Sequence, residues 1–198
     1  MNLFRTLGAL ALAAFLLGSP LRVSAENRSL AVGDKIPQFT YRLLDGHRLS
    51  PKTLRGHRYV LWMVASWCSS CEAGSSVVGD HIASLRTRGV SVVEMRLTND
   101  LGAPGPGLEQ FQKAVGINAA ASNWYWGELE QKQTLALDSK GYPDIYYLVN
   151  SDGTIAQISG NPAGSWDTIA SFAAAPMPTA QTLGKRRATK AIVRSSFR

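Results

Sequence analysis

The pattern of apolar residues predicts strands that alternate with helices. Residues 59–65 and 90–97 are near-continuous apolar runs, which are typical of strands covered on both faces. Between them, apolar residues recur at helical spacing over 77–85 and predict a helix that starts near Cys71 and ends at Gly89. This alternation indicates an α/β fold in which helices cover a sheet.

Hairpins are predicted at both ends of this unit. Residues 39–44 and 47–49 flank Asp45-Gly46, a dipeptide that suits a tight turn. Ser50-Pro51 then suggests the start of a short helix that ends at Gly56. Residues 142–150 and 154–159 flank a Ser-Asp-Gly turn and predict the second hairpin.

The remaining segments are shorter. The Gly- and Pro-rich stretch 98–107 is expected to be a loop, and residues 102–107 are expected to be its flexible part. Trp124-Tyr125-Trp126 is expected to lie on a strand and contribute to the core rather than to a peptide-binding platform. The predicted elements in this part of the chain are a helix over 108–115, a strand over 123–126, a helix over 129–137 and a last helix over 165–174.

The two ends of the chain differ from its middle. Residues 1–25 combine Arg5, an apolar run too short for a roughly 30 Å hydrocarbon core, and a small-residue Val-Ser-Ala pattern. They predict a cleavable secretory signal, with an uncleaved membrane anchor as the alternative. Residues 26–175 are the predicted domain, and 176–198 are predicted to be a basic, poorly ordered tail.

The formal net charge of +7 comes from the ends. Residues 26–184 sum to −1, whereas 185–198 carry six basic residues and no acid. A neutral body and the absence of a base-reading motif argue against nucleic acid as a partner. The tail is expected to be solvated or to contact anionic lipid or an acidic protein.

Cys68 and Cys71 are the only cysteines, and two residues separate them. Haem attachment requires a histidine directly after the second cysteine, but Glu72 stands there. A zinc site usually needs four ligands, and the three histidines lack the paired spacing to complete one. A redox-active dithiol and an inert disulfide remain, and two cysteines are too few for a disulfide scaffold.

A redox dithiol needs its nucleophilic cysteine at the start of a helix. The predicted strand runs into Cys68, so free N–H groups and the helix dipole favour a thiolate there. Such surroundings lower a thiol pKa from about 8.5 to between roughly 3.5 and 7.5. Cys71, deeper in the helix, is expected to stay a thiol until it resolves a mixed disulfide.

Residues 60–71, Val-Leu-Trp-Met-Val-Ala-Ser-Trp-Cys-Ser-Ser-Cys, resemble the active-site strand and motif of the thioredoxin superfamily. Gly141-Tyr142-Pro143 and the hairpin after it are similar to that family's cis-proline loop. The similarity covers roughly residues 31–172. Three further segments resemble the opening of periplasmic and membrane-tethered thioredoxin-like reductases, including the cytochrome c maturation branch: 32–40, 44–46 and 54–56.

The resemblance implies a thioredoxin-like fold with a central mixed sheet flanked by helices, an N-terminal β-hairpin extension and an inserted strand-helix unit. It implies that Cys68 and Cys71 are catalytic, with no metal and no cofactor besides their reversible disulfide. It also implies a cis Pro143 against the Cys68 sulfur, with Trp67, Tyr142 and Pro143 contacting substrate.

Several positions depart from the family's pattern. Trp62 stands six residues before the nucleophile, where thioredoxins have a buried carboxylate, so that proton relay is absent or replaced. Gly74 stands where envelope reductases often have an acid, and Ser69-Ser70 replaces the more usual residues between the cysteines. These departures leave the direction of electron flow open.

We therefore expect an exported, periplasmic thiol-disulfide oxidoreductase that exchanges disulfides with protein substrates. A reductase or isomerase is expected rather than an oxidase, with a membrane electron-transfer partner. The alternative is a non-catalytic thioredoxin-fold binding or assembly module of an envelope complex, in which Cys68 and Cys71 form a structural disulfide.

Overall fold

The computed structural model describes residues 28–116 and 121–176, so the predicted leader and almost all of the predicted tail lie outside the described residues. Strands and helices alternate along most of the described chain. The strands are β1 Tyr41–Leu43, β2 Arg48–Leu49, β3 Arg58–Val64, β4 Val90–Arg96, β5 Trp124–Glu128, β6 Ile145–Val149 and β7 Ile155–Gly160. The helices are α1 Ser69–Thr87, α2 Leu108–Ala114, α3 Gln131–Leu137 and α4 Trp166–Ala174, with a 3-10 segment at Thr98–Gly102.

All seven strands form one mixed sheet in the order β2-β1-β5-β4-β3-β6-β7. Strands β3, β4 and β5 are parallel, whereas β6 pairs antiparallel with β3 and β7 pairs antiparallel with β6. The inserted strand β5 lies between β4 and the N-terminal hairpin of β1 and β2. The predicted α/β architecture with a central mixed sheet is therefore confirmed.

Strand β3 is buried along its whole length because the sheet is covered on both faces. Its side chains alternate between two apolar clusters, as the twofold period of a strand requires. Val60, Trp62 and Val64 face the cluster that holds the apolar residues of α1, α2 and α4. Tyr59, Leu61 and Met63 face the opposite cluster, which includes Leu137 of α3.

The predicted helix over residues 50–56 is wrong. This segment forms successive turns, in which the N–H groups of Thr53 and Arg55 donate three residues back, to Ser50 and Lys52. Gly56 has a φ of +89°, which reverses the chain into β3. Proline at the first helical position suits a turn as well as a helix, which is why the sequence pattern misled.

Arg58 at the start of β3 ties the last helix to the sheet. Its guanidinium is buried and donates hydrogen bonds to the carbonyls of Phe172, Ala173 and Ala175 at the end of α4. These carbonyls are the acceptors that a helix C-terminus leaves unpaired, and a cation there also complements the helix dipole. None of the described helices is both long and apolar enough to cross a membrane.

Candidate functional site

The cysteine pair lies where β3 passes into α1. Cys68 is the N-cap of α1 in an extended conformation, and its sulfur accepts the Cys71 backbone N–H at 3.3 Å. The two residues are paired as a disulfide with a Cα–Cα distance of 5.2 Å. Cys71 is completely buried, whereas Cys68 is 7% exposed. The predicted strand-to-helix junction is therefore present, with Cys68 as the outer cysteine.

Ser70 and Asp144 are the polar groups beside the sulfurs. The Ser70 hydroxyl lies 3.2 Å from the Cys68 sulfur. A carboxylate oxygen of Asp144 and both cysteine sulfurs all lie within 4.8 Å of one another. Asp144 is buried at the entrance to β6, where its backbone N–H donates to Met63 of β3. Burial raises the pKa of its carboxyl, although the nearby Ser70 and Trp62 side chains oppose that effect.

Trp62 fills the space between β3 and α1 directly beneath this carboxyl. Its indole N–H donates to Asp144 Oδ1 at 3.0 Å, and the side chain is fully buried. Its ring also lies against Gly74 of α1, where an added Cβ would stand 2.8 Å from Trp62 Cη2 and 3.1 Å from Pro162 Cδ. The two departures from the family's pattern at 62 and 74 are therefore in contact.

Glu94 of β4 is a second buried carboxyl, paired in register with Trp62. Ser75 donates to Oε1 at 2.8 Å and the Trp124 indole donates to Oε2 at 3.1 Å. Desolvation raises the pKa of Glu94 well above its ordinary value of 4.5, and the negative charge of Asp144 raises it further. The protonated form of Glu94 is therefore favoured in the folded protein.

This raised pKa predicts that stability falls with pH. Between pH 4.5 and the raised pKa of the folded protein, the unfolded chain loses the Glu94 proton while the folded chain keeps it. The free energy of unfolding therefore falls by about 1.4 kcal/mol per pH unit between these two values. We expect Glu94→Gln to remove this pH dependence. The free energy of unfolding of the variant minus that of wild type should therefore be more positive at pH 8 than at pH 5. Urea unfolding of the oxidised proteins at both values measures the difference. Identical pH dependence in both proteins would contradict it, and exposed Glu72→Gln is the control.

The Gly- and Pro-rich segment packs onto the cysteine motif, and its first residues, Thr98–Gly102, form a 3-10 segment instead of the expected loop. Asp100 is buried; its Oδ1 accepts the Ser66 N–H at 2.8 Å, and its backbone carbonyl accepts the Trp67 indole N–H at 2.8 Å. A Cβ on Gly105 would stand 2.5 Å from Ser66 Oγ. Residues 99–101 all have positive φ, a costly conformation that these contacts maintain.

The predicted substrate residues lie on two sides of the cysteines. Trp67 is 43% exposed on the side of the packed loop, and Tyr142 is 55% exposed on the side of β6. Tyr142 and Pro143 line a groove of about 460 Å³ that also contains Ser70 and Asp144. Trp124 and Trp126 are buried and stacked at 5.1 Å, which places that aromatic strand in the core as expected.

The prediction of a cis peptide bond at Pro143 is wrong, because this bond is trans. The chain reverses here through residues with positive φ on either side of the Tyr142-Pro143 pair, Gly141 at +66° and Asp144 at +73°. Two left-handed residues supply the change in direction, so a cis bond is not required. The prediction that Pro143 lies against the Cys68 sulfur stays a prediction. Its neighbour Asp144 has a carboxylate oxygen within 4.8 Å of both sulfurs.

In the described part of the chain, one group of side chains is close enough together to offer metal ligands: Cys68, Cys71 and Asp144. With the sulfurs paired as a disulfide, only the carboxylate remains as a ligand. None of the three histidines belongs to this grouping. The described residues therefore provide no four-ligand zinc site in this state.

Sequence reasoning missed the buried carboxyls near the site, those of Asp100, Asp144 and Glu94. Glu94 could have been identified from the sequence, because a single acid inside an apolar strand must have hydrogen-bond partners. Asp144 follows Pro143 directly, at the edge of an apolar run, and carried a similar signal. Asp100 lies among Gly and Pro residues, where nothing in the sequence distinguishes a buried acid from an exposed one.

Comparisons with known proteins give a fold rather than a family. No protein-family model matches the chain, and no curated protein matches it. A putative thiol:disulfide interchange protein DsbE from Chlorobium tepidum is 20% identical with a TM-score of 0.58, covering 73% of this chain and 96% of its own. The thioredoxin domain of a Bacteroides vulgatus thiol-disulfide oxidoreductase is 20% identical with a TM-score of 0.56, covering 73% and 99%.

A secreted Mycobacterium tuberculosis disulfide oxidoreductase, described as homologous to Escherichia coli DsbE, is 23% identical with a TM-score of 0.50. The alignment covers 70% of this chain and 96% of that protein. These identities are low, so the similarities establish the fold alone. The expected thioredoxin-like fold is confirmed.

Proposed function

We propose that this chain, which has the thioredoxin-like fold, is an exported thiol-disulfide oxidoreductase that exchanges disulfides with protein substrates through Cys68 and Cys71. The observation that carries the proposal is the asymmetry of the pair at the start of α1. Cys68 caps the helix and has the residual exposure, whereas Cys71 is fully buried one turn further on. Cys68 is suited to attack a substrate, and Cys71 to resolve the mixed disulfide.

The charges around the pair favour a reductase or isomerase over an oxidase. A strong oxidant requires surroundings that stabilise the reduced thiolate. The Ser70 hydroxyl and the Asp144 carboxyl lie close to the sulfurs, and neither adds positive charge. A carboxylate beside the thiolate raises the energy of the reduced form, which lowers the reduction potential.

The exposed aromatic residues and the groove favour a polypeptide substrate. Trp67 and Tyr142 offer apolar surface on the two sides of Cys68. The groove beside Pro143 continues along residues 158–161, at the edge strand β7 of the sheet. An extended segment of a substrate protein fits such a surface, with its cysteine directed at Cys68.

The predicted leader supports export, as does the similarity to a secreted protein from Mycobacterium tuberculosis. In an oxidising compartment a reductase must be supplied with electrons from elsewhere. We propose a membrane electron-transfer protein as that donor, and no cofactor besides the Cys68–Cys71 disulfide. The basic residues 185–198 are proposed to contact anionic lipid or an acidic protein.

A redox titration tests the proposal. We expect the pair to equilibrate with glutathione and dithiothreitol buffers, at a midpoint between about −270 and −200 mV, the range of thioredoxin and the glutaredoxins. Trp67 adjoins Cys68 and provides a fluorescence signal for the titration. A midpoint near −120 mV would indicate an oxidant instead.

The same titration separates an enzyme from a non-catalytic assembly module. A structural disulfide is expected below about −300 mV and resists exchange with the glutathione pool. If the pair behaves in this way and the reduced protein fails to reduce a protein disulfide, the oxidoreductase proposal is refuted. Thermal denaturation of the reduced and oxidised proteins provides the control that both states are folded.

A further inference from the structure

The carboxylate that thioredoxins bury beneath their cysteines is absent from β3, because Trp62 occupies its position. The Trp62 indole nevertheless contacts a carboxylate, because its N–H donates to Asp144 Oδ1 at 3.0 Å. Asp144 belongs to a different part of the chain, the turn that leads into β6. A buried acid is thus present beside the disulfide, but it is contributed by another segment.

The hydrogen bonds of Asp144 engage one carboxylate oxygen more strongly than the other. The residue is 5% exposed, and its Oδ1 is held by Trp62. Its Oδ2 is buried and has no partner at full hydrogen-bond geometry among the described residues, although the Ser70 hydroxyl lies near enough to the carboxyl to lower its pKa. A carboxylate oxygen lies within 4.8 Å of both sulfurs, a separation that one water molecule or a small side-chain rotation bridges. An unpaired buried carboxylate oxygen is costly and calls for an explanation.

We propose that Asp144 accepts the proton of the Cys71 thiol when Cys71 resolves the mixed disulfide with substrate. Cys71 attacks the Cys68 sulfur, so that the Cys68–Cys71 bond forms and the bond between Cys68 and the substrate sulfur breaks. The electron pair of the broken bond leaves on the substrate as a thiolate. The enzyme dithiol is oxidised, the substrate disulfide is reduced, and the proton moves from Cys71 to Asp144. This inference rests on the proposed function.

The other titratable groups around Asp144 affect the pKa of its carboxyl. Cys68 and Cys71 face it from α1, and Glu94 faces it from β4. In the described part of the chain, no lysine or arginine forms an ion pair with Asp144. Burial raises the pKa of Asp144, which brings it closer to that of a thiol and makes it a better base. Because Glu94 favours its protonated form, the two carboxyls avoid carrying two buried charges.

A path for the proton to leave is also present. Asp144 lines the groove of about 460 Å³ that opens beside Ser70, Tyr142 and Pro143. A proton received from Cys71 on one side of the carboxyl can therefore pass to solvent, or to the departing substrate thiolate, on the other. Trp62 is a positioning residue in this scheme, because its hydrogen bond to Oδ1 fixes the carboxyl beside the sulfurs.

The test resolves the two steps with dithiobis(nitrobenzoate), a disulfide that releases one coloured thiolate when Cys68 attacks and a second when Cys71 resolves. We expect Asp144→Asn to leave the first phase within a few-fold of wild type and to slow the second about 100-fold near pH 6.5. In wild type the second phase should level off once Asp144 is ionised. In the variant it should keep rising with pH toward the ordinary thiol pKa of about 8.5.

Two further variants exclude a merely structural explanation. Asp144→Glu keeps the carboxylate and is expected to restore the levelled pH profile, with a rate between those of Asp144→Asn and wild type. Glu72→Gln removes one negative charge beside Cys71 in sequence, but from an exposed side chain, and should leave the second phase within about twofold. A normal first phase in each variant shows that Cys68 and its surroundings remain folded.

The outcomes separate this inference from the proposed function. If Asp144→Asn resolves at the wild-type rate with the wild-type pH profile, Asp144 is not the proton acceptor, whatever the enzyme does. If wild type shows both phases but neither reduces a protein disulfide nor titrates in the catalytic range, the proposed function fails instead. A slowed second phase in Asp144→Asn that Asp144→Glu restores supports the inference.

Discussion

Cys68→Ser is expected to abolish reduction of a protein disulfide, by at least about 1,000-fold, because the attacking thiolate is lost. Cys71→Ser is expected to abolish turnover equally but to stop one step later. In that variant Cys68 still attacks, and with no buried thiol one turn into α1 the enzyme remains covalently joined to substrate.

Reduction of insulin, followed by turbidity, measures the loss of turnover, and non-reducing electrophoresis with a disulfide-containing peptide measures the trapped species. Ser69→Ala is the matched control, since it changes an exposed residue of the same motif and keeps both thiols. Accumulation of the mixed disulfide in Cys71→Ser alone assigns the order of the two cysteines. Accumulation in Cys68→Ser alone would reverse that order.

The position of the cysteine pair was predictable because it depends on local pattern. An uninterrupted apolar run of this length is typical of a strand covered on both faces, and β3 is buried at every residue. The amphipathic pattern after Cys71 predicts α1, and the turn between the two elements leaves Cys68 at the helix start. The strand order, with β5 inserted beside β4, also agrees with the expected architecture.

The surroundings of the pair were not predictable, because they come from segments distant in sequence. Asp144 reaches the sulfurs from the start of β6, and Asp100 reaches Ser66 and Trp67 from the loop after β4. Turn residues such as Gly and Pro indicate where the chain bends but not what a bend packs against. The prediction for Pro143 failed for a related reason, since the neighbouring left-handed residues reverse the chain without a cis bond.

The departures at 62 and 74 illustrate how one packing contact can account for two anomalies in a sequence. Read separately, Trp62 is a missing carboxylate and Gly74 is a missing acid. In the structure the Trp62 ring occupies the space that a side chain at 74 would take. A large residue on β3 therefore requires a glycine on α1, and the same large residue carries the hydrogen bond to Asp144.

This contact predicts that Gly74→Leu destabilises the protein when residue 62 is tryptophan and stabilises it when residue 62 is alanine. Gly74→Leu alone is expected to cost about 3 kcal/mol, because its Cβ would stand 2.8 Å from the buried Trp62 ring. Trp62→Ala alone is expected to cost about 3–5 kcal/mol, because it leaves a cavity. Adding Gly74→Leu to Trp62→Ala should instead recover at least about 1 kcal/mol, since the leucine fills that cavity.

Guanidinium unfolding of the oxidised proteins, followed by circular dichroism, gives the four free energies of this cycle. Ala73→Leu, at the neighbouring exposed position of α1, should change stability by less than about 0.5 kcal/mol in either background. The loss of the Trp62 hydrogen bond to Asp144 is common to both proteins that carry Trp62→Ala and cancels from the comparison. If Gly74→Leu costs the same with and without Trp62, the two positions are independent and the glycine at 74 needs another cause.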